Sequence, residues 1–361
     1  MNNHGNKCSR RTFLKAAGAT GIGTLVTQLG TSTGAAANLI AQKDDPIVVP
    51  KRLFGKTGER VSILSLGGMF DIPNNQLMMR QAVKWGVTYW DTANSYEGGH
   101  SEKGIGKYFS RFPQDRKKIF LVTKSGAWTI NGMTRHLNKS LERMQTDYID
   151  LFFVHSINSI SDMSDDVMAW GEKAKAQGKI RFFGFSTHSN MEECLMDAAG
   201  MGGIDGIMMT YNHRLMHTDE MRAAVDACVK AGIGLTAMKT QGGGQVRTST
   251  ETEMKLAGHF IKKGYTDGQA KLKAVWENPQ IAAICSQMPN MSLLMTNVAA
   301  AVNKTKLSAA ENRLLRRYAD ETHSDYCAGC VKICESVVAQ NVPIGDIMRF
   351  LMYERSYGDH A

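Results

Sequence analysis

A chain of 361 residues with 43% hydrophobic side chains can bury one full-sized core, and one large domain with a short appendage fits this length better than two independent domains. The formal charge is +9, but the first 37 residues hold Lys7, Arg10, Arg11 and Lys15 and no acid, and +5 remains without them. The other basic residues are dispersed among acids, without the clustered arginines and aromatics of a nucleic-acid face, so no nucleic-acid partner is expected.

The amino terminus reads as an address. The string SRRTFLK (residues 9–15) resembles the twin-arginine export signal, and a Gly- and Thr-rich stretch (16–30) leads to a small-residue site at Ala35-Ala36-Ala37. That stretch is too short and too polar for a membrane span, which takes about 20 apolar residues. A cleaved signal over 1–37 and a linker over 38–50 are expected, with an uncleaved anchor as the competing reading. The implied partner is the twin-arginine translocation machinery, and the implied location is periplasmic or otherwise extracytoplasmic.

Residues 51–64 read as a small hairpin turned at Lys56-Thr57-Gly58, a plug for a barrel floor. Apolar, strand-like runs follow at 61–66, 87–90, 119–123, 148–154, 180–186, 206–210, 233–238 and 281–285, with helix-period segments between them. Regular alternation predicts a parallel sheet, and eight units predict closure into a (β/α)8 TIM barrel over residues 51–303. A helical carboxy-terminal extension is expected over 304–361.

Residues just past the strand ends of such a barrel converge on one mouth, where barrels of this kind do chemistry. Asp91, Tyr96, Lys124 and His155 stand there, in WDTANSY, LVTKSG and YIDLFFVHS. Taken singly, each is an ordinary loop or strand-end residue. Together they make a proton-transfer set: the Lys124 ammonium, held by Asp91, is expected to lower the Tyr96 pKa, and His155 to orient a carbonyl oxygen.

At DTANSY, SEKGIGKYF, VTKSG and DYIDLFFVH the chain resembles the aldo-keto reductases in order and spacing. The resemblance implies hydride transfer between a nicotinamide nucleotide (NADP before NAD) and a small carbonyl or alcohol substrate, with Tyr96 as general acid/base. It also implies nucleotide contacts. Ser186 would bind the carboxamide, Tyr211 would stack under the ring, and Gly242 and Gly243 would cover the pyrophosphate, with Met69, Gln287 and Asn297 nearby. Three departures bear on this. Thr187 and Met208 stand where the family commonly has an asparagine and a glutamine. No Lys or Arg occurs between Cys285 and Asn303 to meet a 2′-phosphate, with Lys239 or Arg247 as stand-ins. An exported reductase also meets no obvious pool of free nucleotide, so a cofactor loaded before export is expected.

The tail carries Cys327, Cys330 and Cys334 at C-x2-C-x3-C, resembling a ferredoxin-like run short of one cysteine. These thiolates could share an iron–sulfur cluster or zinc, with Cys285 or His323 as fourth ligand, or form disulfides. The alternative functions are an iron–sulfur electron-transfer protein with a redox partner on a barrel scaffold, and a non-catalytic binding or assembly protein. The stretch 342–357 has helical periodicity and is expected to dock on the barrel.

Overall fold

The computed structural model describes residues 47–243, 250–338 and 342–357. The expected export signal, most of the linker, Gly244 and Arg247 lie outside the described residues. A hairpin of β1 (Lys51–Leu53) and β2 (Arg60–Ser62) precedes eight barrel strands: β3 (Leu64–Gly67), β4 (Tyr89–Asp91), β5 (Phe120–Ser125), β6 (Ile149–Ile157), β7 (Ile180–Thr187), β8 (Gly206–Thr210), β9 (Gly234–Met238) and β10 (Ala283–Gln287). All neighbouring barrel strands are parallel, and β10 pairs with β3 to close the ring. The expected first barrel strand (61–66) merged two elements. Residues 60–62 complete the hairpin and the barrel strand begins at Leu64.

Side chains alternate across each strand and build two layers. Leu151 and Phe153 of β6 join Tyr89, Phe120, Val122 and Met208 inside the barrel. Phe152 and Val154 face outward with Trp90, Leu121, Phe183 and Ile207 into the sheet–helix layer. The hairpin sends Phe54 into the barrel floor, where its ring lies 5.6 Å from that of Phe120 and is fully buried. Glycines make room for it: a Cβ at Gly234 would lie 2.4 Å from the Phe54 ring, and one at Gly206 2.8 Å away. Arg52 fastens the plug by donating to the carbonyls of Trp276, Asn278 and Ile281 at 2.6–3.0 Å.

Helices α1 (Gln76–Lys84), α2 (His100–Arg111), α3 (Ile130–Met144), α4 (Asp165–Ala176), α5 (Met191–Met201) and α6 (Asp219–Lys230) connect successive strands from β3 to β9. Two helices, α7 (Glu251–Lys262) and α8 (Asp267–Trp276), lie between β9 and β10, and α9 (Met291–Val302) follows. The extension begins with α10 (Ala309–Glu321), whose Leu315 and Tyr318 pack with Leu256, Phe260 and Ala270 of α7 and α8. Short α11 (Val331–Glu335) and α12 (Ile344–Tyr357) complete it. Among the described residues, no helix is long and apolar enough to cross a membrane.

Candidate active site

Asp91 ends β4, Lys124 lies near the end of β5, and His155 lies near the end of β6. Tyr96 begins a short 3-10 turn just beyond β4. These positions bring four distant residues to one mouth. Lys124 Nζ donates to both Asp91 carboxylate oxygens at 2.6 Å and to the Thr92 carbonyl at 2.8 Å, and the pair is almost wholly buried. The same Nζ lies 5.0 Å from the centre of the Tyr96 ring, and the His155 ring meets Tyr96 edge-on at 5.8 Å.

Electrostatics assign resting states. Burial alone would lower the Lys124 pKa, but the Asp91 carboxylate reverses this and holds the lysine above its ordinary value, charged. Burial raises Asp91, and Lys124 opposes that rise. Burial, with the Lys124 charge added, drives His155 down to about 3, so the imidazole is neutral near pH 7. Tyr96 departs from the sequence expectation. Lys124 does pull its pKa downward, but burial outweighs it and Asp91 and Cys285 add to the rise, so the phenol sits above its ordinary value and stays protonated.

The bulge that aims His155 is held from the neighbouring strand. Pairing of β6 with β7 shifts between Val154 and Ile157, and Ser156 adopts a left-handed φ of 59°. Its amide donates to Ser186 Oγ at 3.0 Å, which leaves the serine's own proton available for an acceptor in the mouth.

The other expected nucleotide residues divide. Met69 is exposed at the rim, and Gln287 Nε2 donates to its carbonyl. Gly242 and Gly243 have φ of 59° and 101°, and a Cβ on Gly242 would meet the His213 ring at 2.7 Å. Asn297 donates to Ser286 Oγ at 3.0 Å. Tyr211 is turned away from the mouth. Strand alternation puts Met208 inside the barrel and Met209 and Tyr211 in the outer layer, where the Tyr211 hydroxyl accepts from Asn278 Nδ2 at 2.9 Å. The Thr187 hydroxyl is committed to the carbonyls of Ile157 and Ser189 at 2.8 and 2.7 Å. Ser186 and Tyr96 are thus the groups that would meet the reacting end of a nicotinamide nucleotide, without a stacking role for Tyr211, while in the glycine turn the place of an absent Gly242 Cβ is taken by His213.

The extension settles on the same side of the mouth. Asn190 N–H, in the loop after β7, donates to the Gly329 carbonyl at 2.8 Å, and Lys332 N–H returns a bond to Asn190 Oδ1 at 3.1 Å. Arg349 of α12 reaches Ser189 Oγ at 3.1 Å, and Asn212, after β8, donates to the Tyr326 hydroxyl at 2.8 Å. Lys239, after β9, lies 4.1 Å from the Tyr353 ring centre. Lys239, weighed from sequence as a partner for a 2′-phosphate, is thus engaged with the tail.

Cys330 is exposed; burial, then Cys334 and Cys327, raise its thiol pKa. Cys327 Sγ instead points toward the Gly345 carbonyl at 3.9 Å. Among the described residues, no three His, Cys, Asp or Glu side chains converge as a metal-binding group. Cys285, considered as a fourth ligand, lies in the mouth with Sγ 3.6 Å from Asp91 Oδ2, and His323 is bonded to the Asp320 carbonyl at 2.7 Å.

Two mouth residues were given no individual role from the sequence. His188 is packed against the tetrad's side of the mouth, and burial, then the charges of Lys239 and Arg349, hold its pKa well below the ordinary histidine value. Its place two residues past Ser186 was the available signal. Arg349 lies 160 residues from Ser189 along the chain, and no local pattern marks that pairing.

The family model described as "Aldo/keto reductase family" matches residues 65–308. L-galactose dehydrogenase from Arabidopsis thaliana is 23% identical over 292 residues, covering 73% of this chain and 91% of its own length. Further relatives are matched over 40–66% of their length. Among solved structures, an aldo-keto reductase from Bacillus halodurans in its holo form aligns with a TM-score of 0.63 at 22% identity, over 74% of this chain and 96% of its own. A thermostable aldo-keto reductase solved with the inhibitor epalrestat aligns at 0.61 and 26% identity, over 74% of this chain and 99% of its own.

Proposed function

The chain belongs to the aldo/keto reductase family and is an oxidoreductase of the carbonyl–alcohol class. From that premise we propose that it moves a hydride between a tightly bound nicotinamide nucleotide, NADP before NAD, and a small carbonyl or alcohol substrate. The observation that carries the reading is the buried Lys124–Asp91 pair, with the lysine 5.0 Å from the Tyr96 ring centre and the His155 ring edge-on to Tyr96. The nucleotide, when bound, supplies or accepts the hydride. Ser186 and the backbone at Gly242 and Gly243 would hold it.

The chain's own residues handle the proton. In reduction, neutral His155 donates a hydrogen bond to the substrate oxygen and Tyr96 releases its proton to that oxygen. Lys124 then stabilises the phenolate at close range in a site with little water, where a fixed charge acts strongly. Asp91 keeps Lys124 charged and in place. In oxidation the same phenolate takes the alcohol proton. Tyr96→Phe is expected to abolish turnover of a probe such as 4-nitrobenzaldehyde with NADPH while nucleotide binding persists. Turnover equal to that of the unaltered protein would remove the assignment.

Export by the twin-arginine route is part of the proposal and rests on SRRTFLK. Arg10→Lys with Arg11→Lys is expected to retain the protein in the cytoplasmic fraction, and unchanged fractionation would refute it. A second reading rests on the C-x2-C-x3-C spacing of Cys327, Cys330 and Cys334: the three would be ligands of an iron–sulfur cluster serving a redox partner. Absence of iron and acid-labile sulfide after anaerobic preparation removes that reading.

A further inference from the structure

Tyr96 is carried by a loop that is held at both ends by one guanidinium. Beyond Tyr96 the chain passes through three successive left-handed residues, Glu97, Gly98 and Gly99, with φ of 51°, 58° and 89°. A non-glycine residue in that conformation is strained, and such strain persists only where the surroundings fix it. Arg143, one position before the end of α3, supplies the fixation. Its Nη1 donates to the Asn94 carbonyl, before Tyr96, at 2.9 Å. Its guanidinium also lies against Gly99, after Tyr96, where a Cβ would sit 2.4 Å from Cζ.

Arg143 is itself set by a buried carboxylate. Nη1 donates to Glu102 Oε2 at 3.0 Å, and Glu102, on α2, is fully buried. The other Glu102 oxygen accepts from Thr123 Oγ1 at 2.8 Å, and Thr123 immediately precedes Lys124 on β5. The loop meets the same strand directly, with Asn94 N–H donating to the Lys124 carbonyl at 3.0 Å. Removing either charge would leave the other poorly solvated, so the pair acts as one unit.

We propose that Arg143, oriented by Glu102, is a positioning residue that fixes the Tyr96 phenol relative to the Lys124 ammonium. The clamp touches neither substrate nor nucleotide and acts through the 94–99 loop. It rests on the assignment of Tyr96 as the acid/base, and it accounts for a buried Glu–Arg pair beside the mouth that the proton chemistry does not use. A misplacement of about 1 Å at a reacting group can lower a rate about 100-fold, so the effect belongs in kcat.

The test uses the full chain, with Arg143→Ala, Arg143→Lys and Glu102→Gln. Hydrogen–deuterium exchange read by mass spectrometry needs no substrate. The expected result is faster exchange confined to peptides covering 93–100, with β6 and β7 peptides unchanged. With 4-nitrobenzaldehyde and NADPH, kcat is expected to fall about 10- to 100-fold for Arg143→Ala, with KM for NADPH within about 3-fold. Arg143 lines a solvent-open groove of about 680 Å³ with Asn94 and Glu142, so added guanidinium chloride at low concentration can reach the vacated place. It is expected to restore part of kcat in Arg143→Ala and none in Tyr96→Phe. If Arg143→Ala does not fold, Arg143→Lys carries the same measurements, because an ammonium can bond Glu102 but cannot also brace Gly99.

Unchanged exchange over 93–100 in a folded variant overturns the proposal, as does loosening spread evenly through the barrel, which would mean a role in the fold only. A protein inactive in its unaltered form would sink the reductase reading, while the exchange result still decides the clamp.

Discussion

Replacing Lys124 by methionine would leave the Asp91 carboxylate buried beside the Cys285 thiol with its ammonium partner gone. Breaking a buried pair from one side typically costs about 3–5 kcal/mol, so Lys124→Met should lose stability of that order as well as turnover. Urea unfolding at pH 7.5 checks it, and a loss below about 1 kcal/mol would mean that the pair is not held as described. The direction of the Tyr96 shift has its own consequence. A phenol above its ordinary pKa keeps its proton across neutral pH, so the Tyr96 phenol of the nucleotide-free protein should show no alkaline titration limb between about pH 6 and 9. Ultraviolet difference spectra of the unaltered protein against Tyr96→Phe would show such a limb if it existed. The residue types of the tetrad were legible in the sequence because each follows a strand-like run. Their balance was not: a neighbouring ammonium is visible in sequence, whereas the burial that outweighs it exists only in the folded mouth.

Strands β7 and β8 approach so closely that one glycine separates them. A Cβ on Gly184 would lie 1.8 Å from the Gly206 carbonyl oxygen, which is backbone and cannot swing aside. Gly184→Ala is expected to cost about 3 kcal/mol or more, read as a lowered urea midpoint, whereas Gly178→Ala, in open space, should lose only the strain of its left-handed backbone. Pattern in sequence located all eight barrel strands because buried parallel strands are continuous apolar runs. It misplaced the first one, because Val61 and Leu64 are both apolar and nothing local separates a hairpin strand from the barrel strand two residues later. The stacking role that the resemblance implied for Tyr211 also failed. A residue just past a strand end was expected to face the mouth, but the two-residue period continues one step beyond β8 and turns that side chain outward. The docking of α12 was legible only as helical periodicity, since its hydrogen bond to Ser189 and its ring contact with Lys239 join segments far apart in the chain.

At the scale of the molecule, the barrel is stoppered at one end and covered in part at the other. The stopper should matter energetically: Phe54→Ala empties the space between Gly206 and Gly234 and is expected to cost about 3–5 kcal/mol, measurable by denaturant unfolding. Acid should matter as well. His213 is buried and His155 and His188 are half-buried, and all three have pKa values below the ordinary 6.5, chiefly through loss of solvent. The unfolded chain gains protons at these sites as pH falls through about 6.5, while folded His155 does so only near 3, so stability declines on acidification across that window. Thermal midpoints at pH 7.5 and pH 5 test the sign, and a higher midpoint at pH 5 would contradict it. The closure of the ring carries a kinetic consequence. Cys285 lies on the strand that seals it, and its thiol meets Asp91 from 194 residues away along the chain. Contacts so remote form late in folding and are natural places for a closed structure to part first. Burial and the Asp91 charge raise the pKa of this half-exposed thiol and keep it protonated at neutral pH. Its alkylation at neutral pH is therefore expected to be slow, and acceleration in parallel with hydrogen exchange of the β3 and β10 peptides would time the parting of that seam.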